Sequence, residues 1–299
     1  MLSSLLHIYQ TSFVLLLTAT LLFALVRTTF DTPPCMTIFS HRGRIEVHGK
    51  PHLLLSERHL LSAYERGVRA FDVDLIWTSD GHLFVGHPSD VLSLRRLRHQ
   101  PKVASAFEWS TSELEAAASP PPLRVTRLLE LASTFGDNLT LALDLKGGDR
   151  AGFRDALNWL HKEVIRRRLQ SSVWLWVASR AEAKRLRMRE SLLRSPQPSV
   201  RLGKPLYDVG APMRESSVDC SDQLQDGDAD TYAFLGPSVS CANPNLFKSV
   251  NAAPFFGHRL GWLVWVVDDD ATAHALLSSG VRAIISNVPL HMSEYMQVC

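Results

Sequence analysis

The side chains best suited to chemistry are two histidines and three aspartates, and each lies in or just after a short apolar segment. His41 follows MTIFS, Asp72 and Asp74 stand inside AFDVDLIW, His87 ends the next apolar run, and Asp144 lies in LTLALDLK. Imidazole gains and loses a proton near neutral pH, and carboxylate oxygens bind hard divalent cations. These residue types together indicate metal-assisted acid–base chemistry.

The two aspartates of AFDVDLIW should point to the same face of a strand because they occupy positions i and i+2. Two like charges on one apolar face repel each other unless a cation neutralises them. We therefore expect Asp72, Asp74 and Asp144 to bind one divalent cation, and three carboxylates favour Mg²⁺ or Ca²⁺ over Zn²⁺. Arg42 and Lys146 would bind a phosphate group, the first as a bidentate fork and the second as a point charge.

Eight apolar segments, separated mainly by helical patterns, favour a (β/α)₈ TIM barrel, a closed ring of parallel strands. The candidate residues lie at or near the carboxyl ends of the first three segments, which is the active-site face of this fold. We expect residues 89–122 to be rich in loops, with one short helix that Ser110 or Thr111 caps. The eight segments span residues 36–40, 70–77, 139–148, 172–179, 199–203, 232–236, 260–267 and 281–287.

Chain length and net charge limit the fold and the classes of binding partner. The chain has 299 residues, enough for one such barrel, and a net charge of only +2 with histidine neutral. Its short basic runs, near Arg95 and at residues 166–168, are typical of solvated helix faces. We therefore expect no nucleic-acid partner.

The first 26 residues contain no Asp, Glu, Lys or Arg. This composition predicts an N-terminal transmembrane helix within residues 1–30, which would anchor a barrel spanning residues 36–299 as a single-pass membrane protein. A cleaved signal segment, which would give a secreted protein, is the alternative. The location would be an endomembrane or the cell surface.

Two weaker features favour a luminal or external barrel. One is the glycosylation sequon Asn138-Leu139-Thr140. The other is an even set of four cysteines, of which Cys220 and Cys241 flank a polar segment that a disulfide could close. An unused sequon and four free thiols are the alternative.

The order and spacing of these patterns resemble the glycerophosphodiester phosphodiesterase family over roughly residues 37–289. The family's His-Arg-Gly corresponds to residues 41–43, its acidic-x-Asp strand to 72–74, its Thr-x-Asp-Gly turn to 78–81, and its next histidine to His87. Its third acidic strand resembles Asp144-Leu145-Lys146, its late tryptophan strand residues 264–267, and its closing Gly-Val-x-x-Ile-Ile residues 280–285.

The resemblance implies metal-dependent hydrolysis of glycerophosphodiesters or lysophospholipids. His41 and His87 would be the acid and the base, in an order that the sequence does not assign, and Trp265 would contact the substrate. A hydroxyl of the substrate's own glycerol is the nucleophile expected from the family. The N-terminal helix would hold this site near lipid head groups.

Several departures from the family pattern keep other functions open. Asp72 and Asp144 stand where the family has Glu, and LLLSE replaces its Glu-Asn-Thr segment; Pro88 and the closing Ser286-Asn287 also differ. One alternative is a catalytically inactive binding module, and another is a sphingomyelinase-D-like lipid phosphodiesterase. Retention of both histidines favours an enzyme over the inactive module. The tryptophan-rich strands VWLWV and GWLVWV are more typical of barrel packing than of a ligand site.

Overall fold

Nine strands form one sheet in the part of the chain that the structure describes, and eight of them run parallel. The computed structural model describes residues 36–43, 55–97, 105–148, 150–192, 200–206, 220–224, 228–242, 246–247, 261–296 and 298. The strands are β1 Thr37–His41, β2 Ala70–Trp77, β3 Leu83–Val85, β4 Thr140–Leu145, β5 Val173–Trp176, β6 Arg201–Leu206, β7 Phe234–Pro237, β8 Gly261–Trp265 and β9 Ala283–Ser286. Strand β1 pairs with both β9 and β2, which closes the ring. The eight parallel strands match the eight predicted segments, and the barrel prediction is confirmed.

The additional strand, β3, forms an antiparallel hairpin with the carboxyl end of β2. Leu75 is in register with Val85, and Trp77 with Leu83. The turn between them is closed by Thr78, whose backbone N–H donates to the carbonyl of His82 at 2.8 Å. The polar turn at residues 78–81 therefore returns the chain to the barrel rim, as the sequence indicated.

Helices connect most of these strands. They are α1 Glu57–Glu65, α2 Pro88–Leu97, α3 Thr111–Ala117, α4 Val125–Phe135, α5 Phe153–Arg166, α6 Arg180–Leu192, α7 Asp228–Thr231, α8 Asp270–Ser278 and α9 Pro289–Tyr295. Of the two candidate caps of α3, Ser110 is the one used. Its hydroxyl accepts from the backbone N–H of Glu113, and the Glu113 carboxylate accepts from the backbone N–H of Ser110.

The prediction that residues 89–122 are mainly loop is wrong at its start, where α2 extends from Pro88 to Leu97. Proline suits the first position of a helix because the missing N–H has no intrahelical acceptor there and its φ is already helical. The Pro88 that departs from the family pattern thus begins a helix directly after His87. The first turn of this helix brings an acidic residue, Asp90, to within 3.7 Å of Arg42 at the barrel rim.

The barrel interior is filled by side chains below the rim. Aromatic rings there pack against small residues of neighbouring strands, and tryptophans of β5 and β8 lie among them. The tryptophan-rich strands therefore contribute to barrel packing, as their sequence favoured. The buried interior cluster comprises Phe39, Ala70, Ala142, Trp176, Phe234, Leu263, Ala283 and Ile285. Because these apolar side chains close the lower part of the barrel, the polar side chains of the strands are confined to its carboxyl end.

A disulfide joins two of the loops at that end. Cys220 follows β6, Cys241 follows β7, and the two are bonded to each other in a buried position. Cys35 and Cys299 lie outside the described residues, as does the proposed membrane anchor within residues 1–30. Among the helices that the structure describes, none is both long enough and apolar enough to cross a bilayer.

Candidate active site

Strand register brings the predicted residues of three strands to one end of the barrel. His41 on β1 is the partner of Asp72 on β2, and Asp74 on β2 is the partner of Asp144 on β4. Partnered residues of parallel strands project to the same side, so these four side chains form a continuous polar patch at the carboxyl ends of the strands. Asp72 and Asp74 are both buried, at 8% and 7% relative exposure.

Arg42 contacts this patch because the chain turns sharply after β1. Its φ is +56° and that of Gly43 is +66°, so two successive residues adopt the left-handed region. A side chain at Gly43 would place its Cβ 2.7 Å from Leu55, which explains the glycine on steric grounds as well. The turn directs the Arg42 guanidinium toward Asp74, with Nε 3.1 Å from the carboxylate, and toward Asp90 at 3.7 Å.

Lys146 links the second and third aspartates. Its backbone N–H donates to the carbonyl of Leu75 at 2.9 Å, which continues the pairing of β2 with β4. Its ammonium lies 2.7 Å from the Asp74 carboxylate and also forms an ion pair with Asp144. Burial alone would favour the neutral amine, but the carboxylates of Asp144 and Asp74 raise the pKa of Lys146. The lysine is therefore a permanent positive charge.

Asp72 has a different environment from its two neighbours. Its carboxylate accepts a hydrogen bond of 3.1 Å from the indole N–H of Trp176. The indole crosses the barrel interior over Gly236, where a Cβ would lie 2.2 Å from the ring. Burial, and then the nearby charge of Asp74, raises the pKa of Asp72 to about 8, despite the opposing hydrogen bond from Trp176. Burial likewise raises the pKa of Asp144, although Lys146 opposes the shift.

His41 is held by two residues that follow the last strands of the barrel. Its Nδ1 lies 2.8 Å from the side-chain oxygen of Asn287, and the Asn287 amide nitrogen donates to the Asp268 carboxylate at 2.8 Å. Asp268 also accepts from the backbone N–H of Asn287 at 2.7 Å and from the Ser286 hydroxyl at 3.0 Å. Since the carboxylate requires the amide nitrogen as donor, the oxygen of Asn287 must accept from His41. This places the proton of a neutral His41 on Nδ1 and leaves Nε2 unprotonated.

His87 reaches the same rim through the hairpin. The backbone N–H of Gly86 donates to the carbonyl of Asp74 at 2.9 Å, which places His87 beside the acidic patch. Nδ1 of His87 lies 3.2 Å from the backbone N–H of Ser89 and 2.6 Å from the Ser89 hydroxyl. Because a backbone N–H can only donate, Nδ1 of a neutral ring accepts from it, the rotatable hydroxyl donates to the same atom, and the ring proton is on Nε2. Burial lowers the pKa of His87, and the charge of Arg42 lowers it further, while Asp74 opposes the shift. The two histidines are thus held in opposite tautomers.

Seven of the eight predicted site residues belong to this arrangement: His41, Arg42, Asp72, Asp74, His87, Asp144 and Lys146. The eighth, Trp265, lies at the carboxyl end of β8, and its indole N–H donates to the carbonyl of Gly236 at 2.8 Å. Sequence reasoning missed Trp176, Asp268 and Asn287 as site residues. Only Asn287 carried a signal, since it directly follows the last strand at the position where the family has an aspartate.

A divalent cation suits the donor chemistry of this patch. The carboxylates of Asp74 and Asp144 converge on a single cationic point, the ammonium of Lys146. Asp72 adds a third carboxylate, whose pKa is raised by burial and then by the negative charge of Asp74. Hard oxygen donors of this type match Mg²⁺ or Ca²⁺. Among the described residues, no three acidic, cysteine or histidine side chains are grouped closely enough to hold a metal ion. Asp74 and Asp144 form ion pairs with Arg42 and Lys146.

A cavity of about 1110 Å³ lies between the β2–β3 hairpin and the first turns of α4 and α5. Trp77, Phe107 and Trp159 form its apolar lining, and Arg124 and Arg150 are among its polar residues. Gly147, the residue after Lys146, packs against two of the lining rings. It has a φ of +81°, and its Cβ would lie 2.8 Å from both the Phe107 and the Trp77 rings.

Several solved structures have the same architecture. A Galdieria sulphuraria protein assigned as a glycerophosphodiester phosphodiesterase is 18% identical, with a TM-score of 0.64 over 88% of this chain and 99% of that chain. A glycerophosphodiester phosphodiesterase from Parabacteroides distasonis is also 18% identical, with a TM-score of 0.59 over 87% and 96%. The Oleispira antarctica phosphodiesterase in complex with the product sn-glycerol-3-phosphate is 15% identical, with a TM-score of 0.57 over 87% and 96%.

The chain has the fold of the glycerophosphodiester phosphodiesterases. No protein-family model and no curated protein matches it. At these identities the likeness concerns the fold, and the function has to be argued from the side chains at the barrel rim.

Proposed function

We propose that this protein is a metal-dependent phosphodiester hydrolase that acts on glycerophosphodiesters. The observation that carries the proposal is the meeting of two histidines, three aspartates, an arginine and a lysine at the carboxyl end of one barrel. Two histidines held in opposite tautomers can accept one proton and donate another, as cleavage of a phosphodiester requires. The fold shared with known phosphodiesterases supports the same reaction class.

The tautomers assign the two histidines to different roles. His41 would act as the base: Asn287 accepts from its Nδ1–H, and its unprotonated Nε2 would remove a proton from the attacking hydroxyl. His87 would deliver a proton from Nε2 to the departing alcohol oxygen. The attacking oxygen forms a new bond to phosphorus, and the bond from phosphorus to the alcohol oxygen breaks. His41 takes one proton from the attacking hydroxyl, and His87 gives one proton to the departing alcohol. The anionic substrate would favour the protonated form of His87, against the lowering of its pKa by burial.

The charged side chains would hold the phosphate. Arg42 lies between Asp74 and Asp90, so its guanidinium is oriented before substrate binds. Lys146 provides a second positive charge beside the same carboxylates. Asp72, Asp74 and Asp144 would bind the divalent cation, which would supply Lewis-acid stabilisation of the negative charge on the phosphoryl oxygens.

The test is a product assay with glycerophosphocholine, performed with Mg²⁺, with Ca²⁺ and with EDTA, and followed by phosphorus NMR. We expect metal-dependent release of the alcohol, and the spectrum separates a cyclic phosphate from an open monoester. His41→Ala and His87→Ala should each abolish turnover, while His274→Ala, an exposed position on α8, should leave it unchanged. Equal activity of His41→Ala and wild type would refute the assignment, and complete inactivity of wild type would favour a binding module.

Lysophospholipids are a second candidate substrate class, and the aromatic cavity favours them. Gly147 directly follows Lys146 and packs against two rings of the cavity lining. An acyl chain that extends from the phosphate site past Gly147 would enter the space between Trp77, Phe107 and Trp159. Burial of the chain against these rings would contribute to binding in proportion to the apolar area removed from water. A sphingomyelinase-D-like activity would use the same space for a sphingolipid.

This substrate choice is tested by comparing lysophosphatidylcholine, sphingomyelin and glycerophosphocholine with one set of variants. Trp159→Ala should lower kcat/KM for the acylated substrates about tenfold, which corresponds to about 1.4 kcal/mol of lost apolar contact. The same variant should leave glycerophosphocholine turnover unchanged. Met188→Ala removes an exposed apolar side chain elsewhere and serves as the control. Equal losses on all three substrates would show that the cavity does not bind the acyl chain.

A further inference from the structure

The sequon on the amino-terminal side of β4 occupies a surface position at the end of the barrel opposite the candidate active site. Asn138 is the last residue of a short 3₁₀ turn, residues 136–138, and it is exposed, whereas the next residue, Leu139, is fully buried. Thr140 begins β4, so all three positions of the sequon have well-defined places in the fold.

The turn that carries Asn138 is fixed to its surroundings by its neighbours and not by Asn138 itself. The backbone N–H of Leu139 donates to the carbonyl of Gly136 at 3.2 Å. The Asp137 carboxylate accepts from the hydroxyl of Ser171 at 3.1 Å, which ties the turn to the loop before β5. The Asn138 side chain has no hydrogen bond to any residue that the structure describes. A large substituent on its amide would therefore extend into solvent without displacing a contact.

An independent observation indicates the compartment in which the barrel folds. Cys220 and Cys241 are joined by a disulfide across 21 residues, and both are buried in the apolar cluster around β7 and β8. Structural disulfides form and persist in oxidising compartments and are rare where thiols are kept reduced. Asparagine-linked glycosylation occurs in the secretory pathway, which is also an oxidising compartment. The sequon and the disulfide therefore indicate the same location for the barrel.

We propose that Asn138 carries an N-linked glycan and that the barrel folds on the luminal side of the secretory pathway. In the modification, the amide nitrogen of Asn138 forms a bond to the anomeric carbon of an oligosaccharide. The bond from that carbon to the diphosphate of a lipid-linked donor breaks, the lipid diphosphate leaves with the electron pair, and the amide gives up one proton.

The position of Asn138 keeps such a glycan away from the candidate active site. Strand β4 runs for six residues from Thr140 to Leu145, with Asp144 and Lys146 at its far end. At about 3.3 Å per residue, the strand separates the two ends by roughly 17–20 Å. The glycan would therefore cover the amino-terminal face and leave the rim accessible to substrate.

The experiment uses the full chain, expressed in eukaryotic cells without any added targeting sequence and compared before and after treatment with a peptide N-glycosidase. The wild-type protein should gain mobility on treatment, and Asn138→Gln and Thr140→Ala should migrate like the deglycosylated protein. Thr140→Ser preserves the sequon and should restore the shift. Asn138→Gln should leave any phosphodiesterase rate unchanged, so this result does not depend on the proposed function.

The redox state of Cys220 and Cys241 in the same samples separates the outcomes. An unmodified wild-type chain with both thiols reactive toward a maleimide would place the barrel in a reducing compartment and overturn the proposal. An unmodified chain with an intact disulfide would overturn the glycan assignment alone and leave the luminal location. A glycan that persists in Asn138→Gln would assign it to another position.

Discussion

Replacing Asp72 by asparagine should stabilise the metal-free protein while it removes a candidate metal ligand. Asparagine has the same shape, and its oxygen can still accept the hydrogen bond that Trp176 donates at 3.1 Å. What the substitution removes is the negative charge that burial and Asp74 disfavour. The variant therefore isolates the free energy of burying this carboxylate.

The pKa of Asp72 sets the sign and the size of the effect. The folded protein raises this pKa from 3.8 to about 8, so between these values the folded state binds more protons than the unfolded state. The free energy of unfolding of the wild type should then fall as the pH rises from about 4 to about 8. Each pKa unit corresponds to about 1.4 kcal/mol, which gives about 6 kcal/mol as an upper limit above pH 8. Relaxation around the buried charge should reduce the measured gain to about 2–4 kcal/mol.

The assay is urea denaturation in EDTA at a series of pH values from 4 to 9. The difference in unfolding free energy between Asp72→Asn and wild type should be near zero at pH 4, grow with pH, and level off above about 8. Asp155→Asn, an exposed position on α5, should match the wild type throughout. Added Mg²⁺ should stabilise the wild type at pH 8 but not Asp72→Asn. A variant with the same pH dependence as the wild type would refute the reasoning.

Three further substitutions test other parts of the site. Asp268→Ala should lower kcat about 10- to 100-fold with little change in KM, because the Asn287 amide would lose the carboxylate that orients it toward His41. An unchanged kcat would contradict this positioning role. Gly147→Ala should cost about 1–3 kcal/mol in unfolding free energy and lower turnover, because of its positive φ and the two adjacent rings; an unchanged melting temperature would contradict the steric analysis. Cys241→Ser should destabilise the fold by about 3 kcal/mol, since the disulfide links two residues 21 positions apart. A reductant should lower the stability of the wild type to that of the variant, and a wild type whose stability does not respond to reductant would contradict this prediction.

The barrel could be predicted from the sequence because its signals are local. Each of the eight parallel strands is a short apolar segment bounded by polar residues or a helical pattern, and parallel strands place their carboxyl ends together. The spacing of Asp72 and Asp74 likewise fixes their common face, and strand register then puts His41 beside Asp72. For these residues, the fold class alone was sufficient to predict that their side chains lie together.

The residues that orient the candidate catalytic groups could not be predicted, because their contacts depend on closure of the ring. His41 and Asn287 are separated by 246 positions and meet only because β1 pairs with β9. Asp72 and Trp176 are 104 positions apart, and their hydrogen bond requires the indole to lie over Gly236. The helix that begins at Pro88 was missed for a different reason: its opening Pro88-Ser89-Asp90 is also typical of a loop, although its basic run near Arg95 is typical of a helix face.

The balance of charge at the rim gives a reason for the divalent cation that does not depend on family resemblance. With all three aspartates ionised, the patch carries three negative charges against the two positive charges of Lys146 and Arg42. Asp90, which shares Arg42, and a bound phosphodiester each add one more negative charge, and one Mg²⁺ or Ca²⁺ would offset most of the resulting excess. Without the cation, the protein relieves part of this excess by holding a proton on Asp72, as its pKa of about 8 indicates. If the cation binds as proposed, its binding and the loss of that proton are coupled, and metal binding should therefore depend on pH.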